Sequence, residues 1–135
     1  MKKIKLVVVI TVLMGVFTAC KKDAGEGGNS SITGTVHITK YNAFFTILLG
    51  NYPGADEDVY IIYGDENSIG DRIKTDPDGK FEFKYLRKGN YKLYVYTSDT
   101  TNTDSIGKVA LYKNVEITKS KQTGMAEHLK SKKIN

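Results

Sequence analysis

The side chains able to do chemistry in this chain are few, and their types narrow the choice. One cysteine, Cys20, stands alone, so it has no partner for an intramolecular disulfide. Two histidines, His37 and His128, are far apart along the chain, and with a single thiol they compose neither a Cys/His metal set nor a Ser-His-Asp arrangement that spacing supports. Carboxylates and aromatic rings are more plentiful. Asp56, Glu57 and Asp58 are consecutive, Asp76 and Asp78 share a turn, and Asp99 and Asp104 share a loop. Carboxylates drawn from three loops at one end of a sandwich, with Asp56, Asp58, Asp76, Asp78, Asp99 and Asp104 as candidate ligands, would hold calcium through hard oxygen atoms or offer an acidic patch to a basic partner. The reading preferred here is solvated turn residues, with no cofactor. Tyr60, Tyr94 and Tyr96, three of nine tyrosines, are the other set. On an outer sheet face they would offer aromatic surface to a glycan or a protein.

The frame that positions these residues is one domain's worth of chain, 135 residues. With 40% hydrophobic and 26% charged residues, it has enough apolar material for a packed core. The formal charge of +5 includes Lys2, Lys3 and Lys5 at the N-terminus; without them the balance is 17 basic to 15 acidic residues. That near-neutrality removes the electrostatic footprint a nucleic-acid binder needs.

The chain starts MKKIK, continues LVVVITVLMGVF and ends this segment with TAC: positive residues, an apolar run, then small residues, the order of a secretory signal. The run from Leu6 to Phe17 holds 12 residues, short of the roughly 17 to 25 that span a bilayer. Ala19 followed by Cys20 resembles the lipobox of bacterial lipoproteins, which implies cleavage before Cys20 and a lipid on its sulfur. Acylation would also remove an unpaired thiol that is a liability outside the cell. The Gly, Ser and charged residues that follow suit a flexible tether, similar to the tethers of Bacteroidota lipoproteins. The resemblance implies membrane attachment through lipid on Cys20 and a place in the cell envelope, at the outer membrane.

Beyond the tether the pattern has period two. KFEFKY alternates Lys80, Glu82 and Lys84 with Phe81, Phe83 and Tyr85, and YKLYVYT sets Tyr91, Leu93 and Val95 against Lys92, Tyr94 and Tyr96. VYIIY (59–63) is apolar on both faces, as a central strand is. Further strands are expected at 31–38, 44–49, 70–75, 109–118 and 123–129, and no segment carries a helical stripe of normal length. In TDPDGK, Asp76, Pro77 and Gly79 occupy the preferred positions of a type I turn closing a hairpin. His37 alternates with Thr33, Thr35 and Thr39 on a polar face, and His128 precedes a basic tail expected to fray. Together these features predict an all-β fold, a single antiparallel sandwich of about seven strands.

Gly34 and Val36, then Pro53-Gly54-Ala55, then Thr75, Asp76, Asp78, Gly79, Phe81 and Phe83, then Leu86, Gly89, Tyr91 and Leu93 resemble the motif order of the carboxypeptidase regulatory-like domain. The resemblance implies a transthyretin-like or Ig-like sandwich and an accessory, non-catalytic role. The 37–51 segment is longer than that family's pattern and is left open between strand and loop. Tyr91 after Gly89 resembles a tyrosine corner.

The expected organisation is a signal peptide at 1–19, a lipid-anchored linker at 20–30, the sandwich at 31–129 and a basic tail at 130–135. The expected function is a tethered, non-catalytic module that binds an envelope protein or glycan as a monomeric domain. A fimbria-like assembly subunit using strand complementation is the alternative, and a small hydrolase is disfavoured.

Overall fold

Alternating side chains bury one face per strand, so two sheets laid face to face satisfy every strand at once. The computed structural model describes residues 23–99 and 107–134, and these contain eight strands and no helix. The strands are β1 (Glu26–Tyr41), β2 (Leu48–Pro53), β3 (Asp58–Tyr63), β4 (Asp71–Lys74), β5 (Lys80–Leu86), β6 (Gly89–Ser98), β7 (Lys108–Ile117) and β8 (Thr123–Ile134). One sheet has the order β4-β3-β6-β7, antiparallel throughout. The other is organised around the long β1, which pairs in parallel with β8 from Ser31 to Tyr41. β5 pairs with the first half of β1 and β2 with the second half, both antiparallel. Because β8 overlaps both of them along β1, β5 and β2 must lie end to end on β1's other edge.

The join between β5 and β2 explains a glycine. Val36 donates to Gly79 O at 2.7 Å and accepts from Gly54 N at 2.8 Å, so three backbones meet there. Gly79 has φ +75°, and a Cβ on it would lie 2.5 Å from Val36 O. Only glycine fits that approach.

The core forms between the sheets, from Ile32, Val36, Ile38, Phe81, Phe83, Leu86, Ala126 and Leu129 on one side and Val59, Ile61, Tyr91, Leu93, Val95 and Ile117 on the other. The expected all-β sandwich is present, with eight strands where about seven were expected. Four local expectations need correction. β1 begins at Glu26, inside the stretch read as linker, because Ala24 packs on the core and Gly25 is buried. β8 runs through the stretch read as a basic tail, because β1 offers it a ladder as far as Ile134. The turn at 76–79 does not close a hairpin: β4 and β5 belong to different sheets, so the chain crosses the sandwich there. Tyr85 leaves the apolar face of Phe81 and Phe83 and is 71% exposed, its φ of 59° marking an irregularity where both Glu26 and Ser30 register with Leu86. The slip turns Leu86 inward in its place.

The open 37–51 segment resolves into strand, turn and strand. β1 continues to Tyr41, the Asn42 carboxamide caps the turn by accepting from the N–H groups of Thr46 and Ile47, and β2 returns from Leu48. The strand expected at 44–49 thus starts four residues later.

Candidate functional site

The alternation on β6 divides its tyrosines between two environments. Tyr91, Leu93 and Val95 enter the core, which leaves Lys92, Tyr94 and Tyr96 on the outer face of their sheet. Register then carries the aromatic surface across three strands and adds an arginine from the fourth. Tyr60 pairs with Arg72 on β4 and with Tyr94 on β6, and Tyr94 pairs with Tyr112 on β7. The result is one cross-strand row: Arg72, Tyr60, Tyr94, Tyr112. At about 4.8 Å between strands, it extends roughly 14 Å.

The rings touch one another. Tyr60 and Tyr94 stack at 4.8 Å with planes 10° apart, and Tyr96 meets each of them edge-on at 5.6 Å. Tyr112 leans on Tyr94 at 5.3 Å. Enclosed by these three, Tyr94 is only 5% exposed although it faces outward, whereas Tyr96 and Tyr112 are 46% and 59% exposed. Burial raises the Tyr94 phenol above its ordinary value, with the neighbouring phenols of Tyr96, Tyr60 and Tyr112 adding to it, so it stays neutral.

The expectation for Tyr60, Tyr94 and Tyr96 was a shared outer face, and the structure brings them into contact. Sequence reasoning missed Tyr112 and Arg72. The alternation of VALYKNVEIT puts Tyr112 opposite Val109, Leu111 and Val115 and so marks it as outward, but only pairing with Tyr94 places it in the row.

The surroundings of the row are polar. Lys92 lies between Ile62 and Asn114 in the neighbouring row, and Asp58 pairs with Lys74. Beside Tyr60 and Tyr96 a groove of about 670 Å³ is also lined by Asp58, Ser98, Lys108 and Lys132. Among the described residues Asp58 Oδ1 is closed off from solvent without a hydrogen-bond partner, with Arg72 Nε at 3.8 Å. Ring faces edged by amide, ammonium and carboxylate groups suit a ligand with flat C–H faces and hydroxyl edges.

The acidic residues do share the far end of the sandwich, but they pair with cations rather than with each other. Lys74 Nζ lies 2.8 Å from Asp56, Lys80 Nζ lies 3.3 Å from Asp78, and Lys133 binds Glu57. The bond to Asp56 raises the Lys74 ammonium above its ordinary value. Asp76 serves its own turn, one carboxylate oxygen accepting from the backbone of Asp78 at 2.9 Å and of Lys80 at 2.8 Å. Thr75 pins the neighbouring loop by accepting from Glu57 N and donating to Gly54 O. Asp99 N donates to Gly107 O across the base of its loop. Among the described residues no three His, Cys, Asp or Glu side chains are arranged to hold a metal ion. Asp104 lies outside the described residues, as does Cys20.

His128 sits within β8, not in a frayed tail, and its Nδ1 is 2.6 Å from Thr35 Oγ1. Its ring meets His37 edge-on at 5.4 Å on the outer face of the other sheet. That face also carries Thr33, Thr35, Glu82 and Lys84, and Met125 is exposed on it.

No protein-family model matches the chain, and no curated protein matches it. Among solved structures it is similar to a "putative carbohydrate binding protein" (PA1324) from Pseudomonas aeruginosa, at 14% identity and a TM-score of 0.46, covering 85% of this chain and 93% of that one.

Proposed function

We propose that this protein is a non-catalytic, lipid-anchored module of the cell envelope that binds a glycan on its tyrosine face. The observation that carries the reading is the row of Tyr60, Tyr94 and Tyr112 with Tyr96 beside it, since large aromatic side chains left uncovered on a sheet face mark interaction surfaces. Their mutual contacts hold the rings in place before a ligand arrives, which lowers the ordering cost of binding. Anchoring through lipid on Cys20, and with it a position at the outer membrane, is the part of this reading drawn from the N-terminal signal. Two or more acyl chains make such anchoring stable.

A glycan array probed with the full chain tests the binding. The expected result is retention of one class of oligosaccharide by the natural protein and its loss from Tyr96→Ala/Tyr112→Ala, with the same melting temperature for both. A double variant that binds as well as the natural protein overturns the proposal.

A second reading, assembly by strand addition, is favoured by β2. Its outer edge is unpaired among the described residues, and residues 41–55 carry no charged side chain, whereas natural edge strands are usually guarded by charge. Phe44, Ile47, Leu48, Leu49 and Tyr52 are exposed there. Sedimentation distinguishes the readings: concentration-dependent association abolished by Leu49→Lys supports strand addition, and a monomer at all concentrations removes it.

A further inference from the structure

The fold begins closer to Cys20 than a flexible linker would allow. Gly25 N donates to Tyr91 Oη at 3.1 Å, Arg87 N donates to Gly25 O at 2.8 Å, and Tyr91 Oη donates to Arg87 O at 2.7 Å. Ala24 is seated so closely that a Cβ on Gly89, whose φ is +148°, would come within 2.6 Å of the alanine methyl. Next along the chain, Tyr63 donates to Glu26 at 3.2 Å and meets Tyr91 edge-on. The N-terminal entry is therefore bolted to the end of the sandwich that carries the turns at 64–68, 87–88 and 118–121.

From this geometry we infer that this end of the sandwich is a membrane-facing surface, held against the lipid headgroups, and that the domain stands upright on the bilayer. The inference rests on the reading of Cys20 as lipid-anchored. Only Lys21, Lys22 and Asp23 separate Cys20 from Ala24. Four Cα steps extend at most roughly 14 Å, little more than the depth of one headgroup layer, about 5–7 Å, plus a layer of water.

Charge does not create this contact. Arg87, Lys88, Lys119 and Lys121, together with Lys21 and Lys22 of the tether, are nearly offset there by Asp23, Glu26, Asp65, Glu66 and Glu116, so the short tether, not attraction to anionic lipid, sets the orientation. β1 leads away from this end; because Glu26 and Ser30 both register with Leu86, the advance counts from Ser30 to Tyr41, and at about 3.3 Å per residue it holds the uncharged 42–47 turn roughly 35 Å farther out. Strands running along the membrane normal leave the tyrosine face turned sideways, open to a polymer lying parallel to the surface.

The test uses full-length acylated protein in phosphatidylethanolamine/phosphatidylglycerol vesicles containing a headgroup spin-labelled lipid. A fluorophore is placed at Lys88→Cys or at Ala43→Cys, both exposed positions. Quenching several-fold stronger at position 88 than at 43, unchanged by high salt and levelled by a Gly/Ser insertion between Asp23 and Ala24, is the expected result. Acylated protein quenched equally at both positions overturns the inference and leaves the anchoring reading intact. Absence of acyl label on Cys20 overturns both.

Discussion

Tyr91 and Tyr94 stand three residues apart on β6, and both are nearly closed to solvent, at 1% and 5% exposure. Their burial has different origins. Tyr91 is enclosed by the core, and its hydroxyl ties two separate backbone segments, 25 and 87, into one corner. Tyr94 faces outward and packs among the rings of Tyr60, Tyr96 and Tyr112. The first arrangement is what a sandwich needs in order to close. The second contributes little that the fold requires, since a solvated face could carry Thr and Lys there, as the opposite sheet does. A side chain buried by its fold and one buried by its neighbours alone thus separate architecture from surface function.

Substitution should break the two regions unequally. Tyr91→Ala is expected to cost about 3–5 kcal/mol, because it opens a core cavity and leaves Gly25 N–H without its partner. Chemical denaturation measures this, and a loss below that of Tyr94→Ala would erase the distinction. Tyr94→Ala should cost about 2 kcal/mol, since the aromatic contacts it removes are worth roughly 0.5–1.5 kcal/mol each beyond area and the neighbouring rings can settle into the gap.

Alkaline titration sharpens the contrast further. Burial raises the phenols of both Tyr91 and Tyr94, so each holds its proton more tightly folded than unfolded, where the value is about 10. Their stabilising contribution is complete below pH ~10 and is lost as pH rises from there through the folded values. The melting temperature should fall as pH rises above ~10, while absorbance shows tyrosine ionisation continuing beyond that range. Ionisation of all nine tyrosines in a single step near 10 would contradict it. The smallest stability effect belongs to Tyr112→Ala, expected within about 0.5 kcal/mol as a surface change. A larger loss would mean that the row supports the fold and is not a separate surface.

Much of the fold is legible in the chain. The alternation of KFEFKY and YKLYVYT assigns inward and outward faces correctly except at Tyr85, where a register slip between β1 and β5 intervenes. TDPDGK is visibly a turn, but whether it joins neighbouring strands or crosses between sheets depends on which sheet receives β5. The acidic residues are visible as a group and their loops do share an end, yet Lys74, Lys80 and Lys133 reach them from positions the pattern does not connect.

The sequence alone determined the strand periodicity, the outward side of Tyr94 and Tyr96, and the tyrosine after Gly89 that forms the corner, because these depend on backbone geometry over a few residues. Tertiary structure decided which residues meet across strands. Tyr60, Tyr94 and Tyr112 are 34 and 18 positions apart along the chain, and a shift of one residue in either pairing would send a ring into the core. Register is set by how Val59, Ile61, Leu93 and Ile117 pack against the other sheet, a condition on the whole core that no short stretch contains. The same holds for Ala24 and Gly25, whose composition reads as linker and which become part of the fold only because the Tyr91 hydroxyl and the bare Cα of Gly89 are there to receive them.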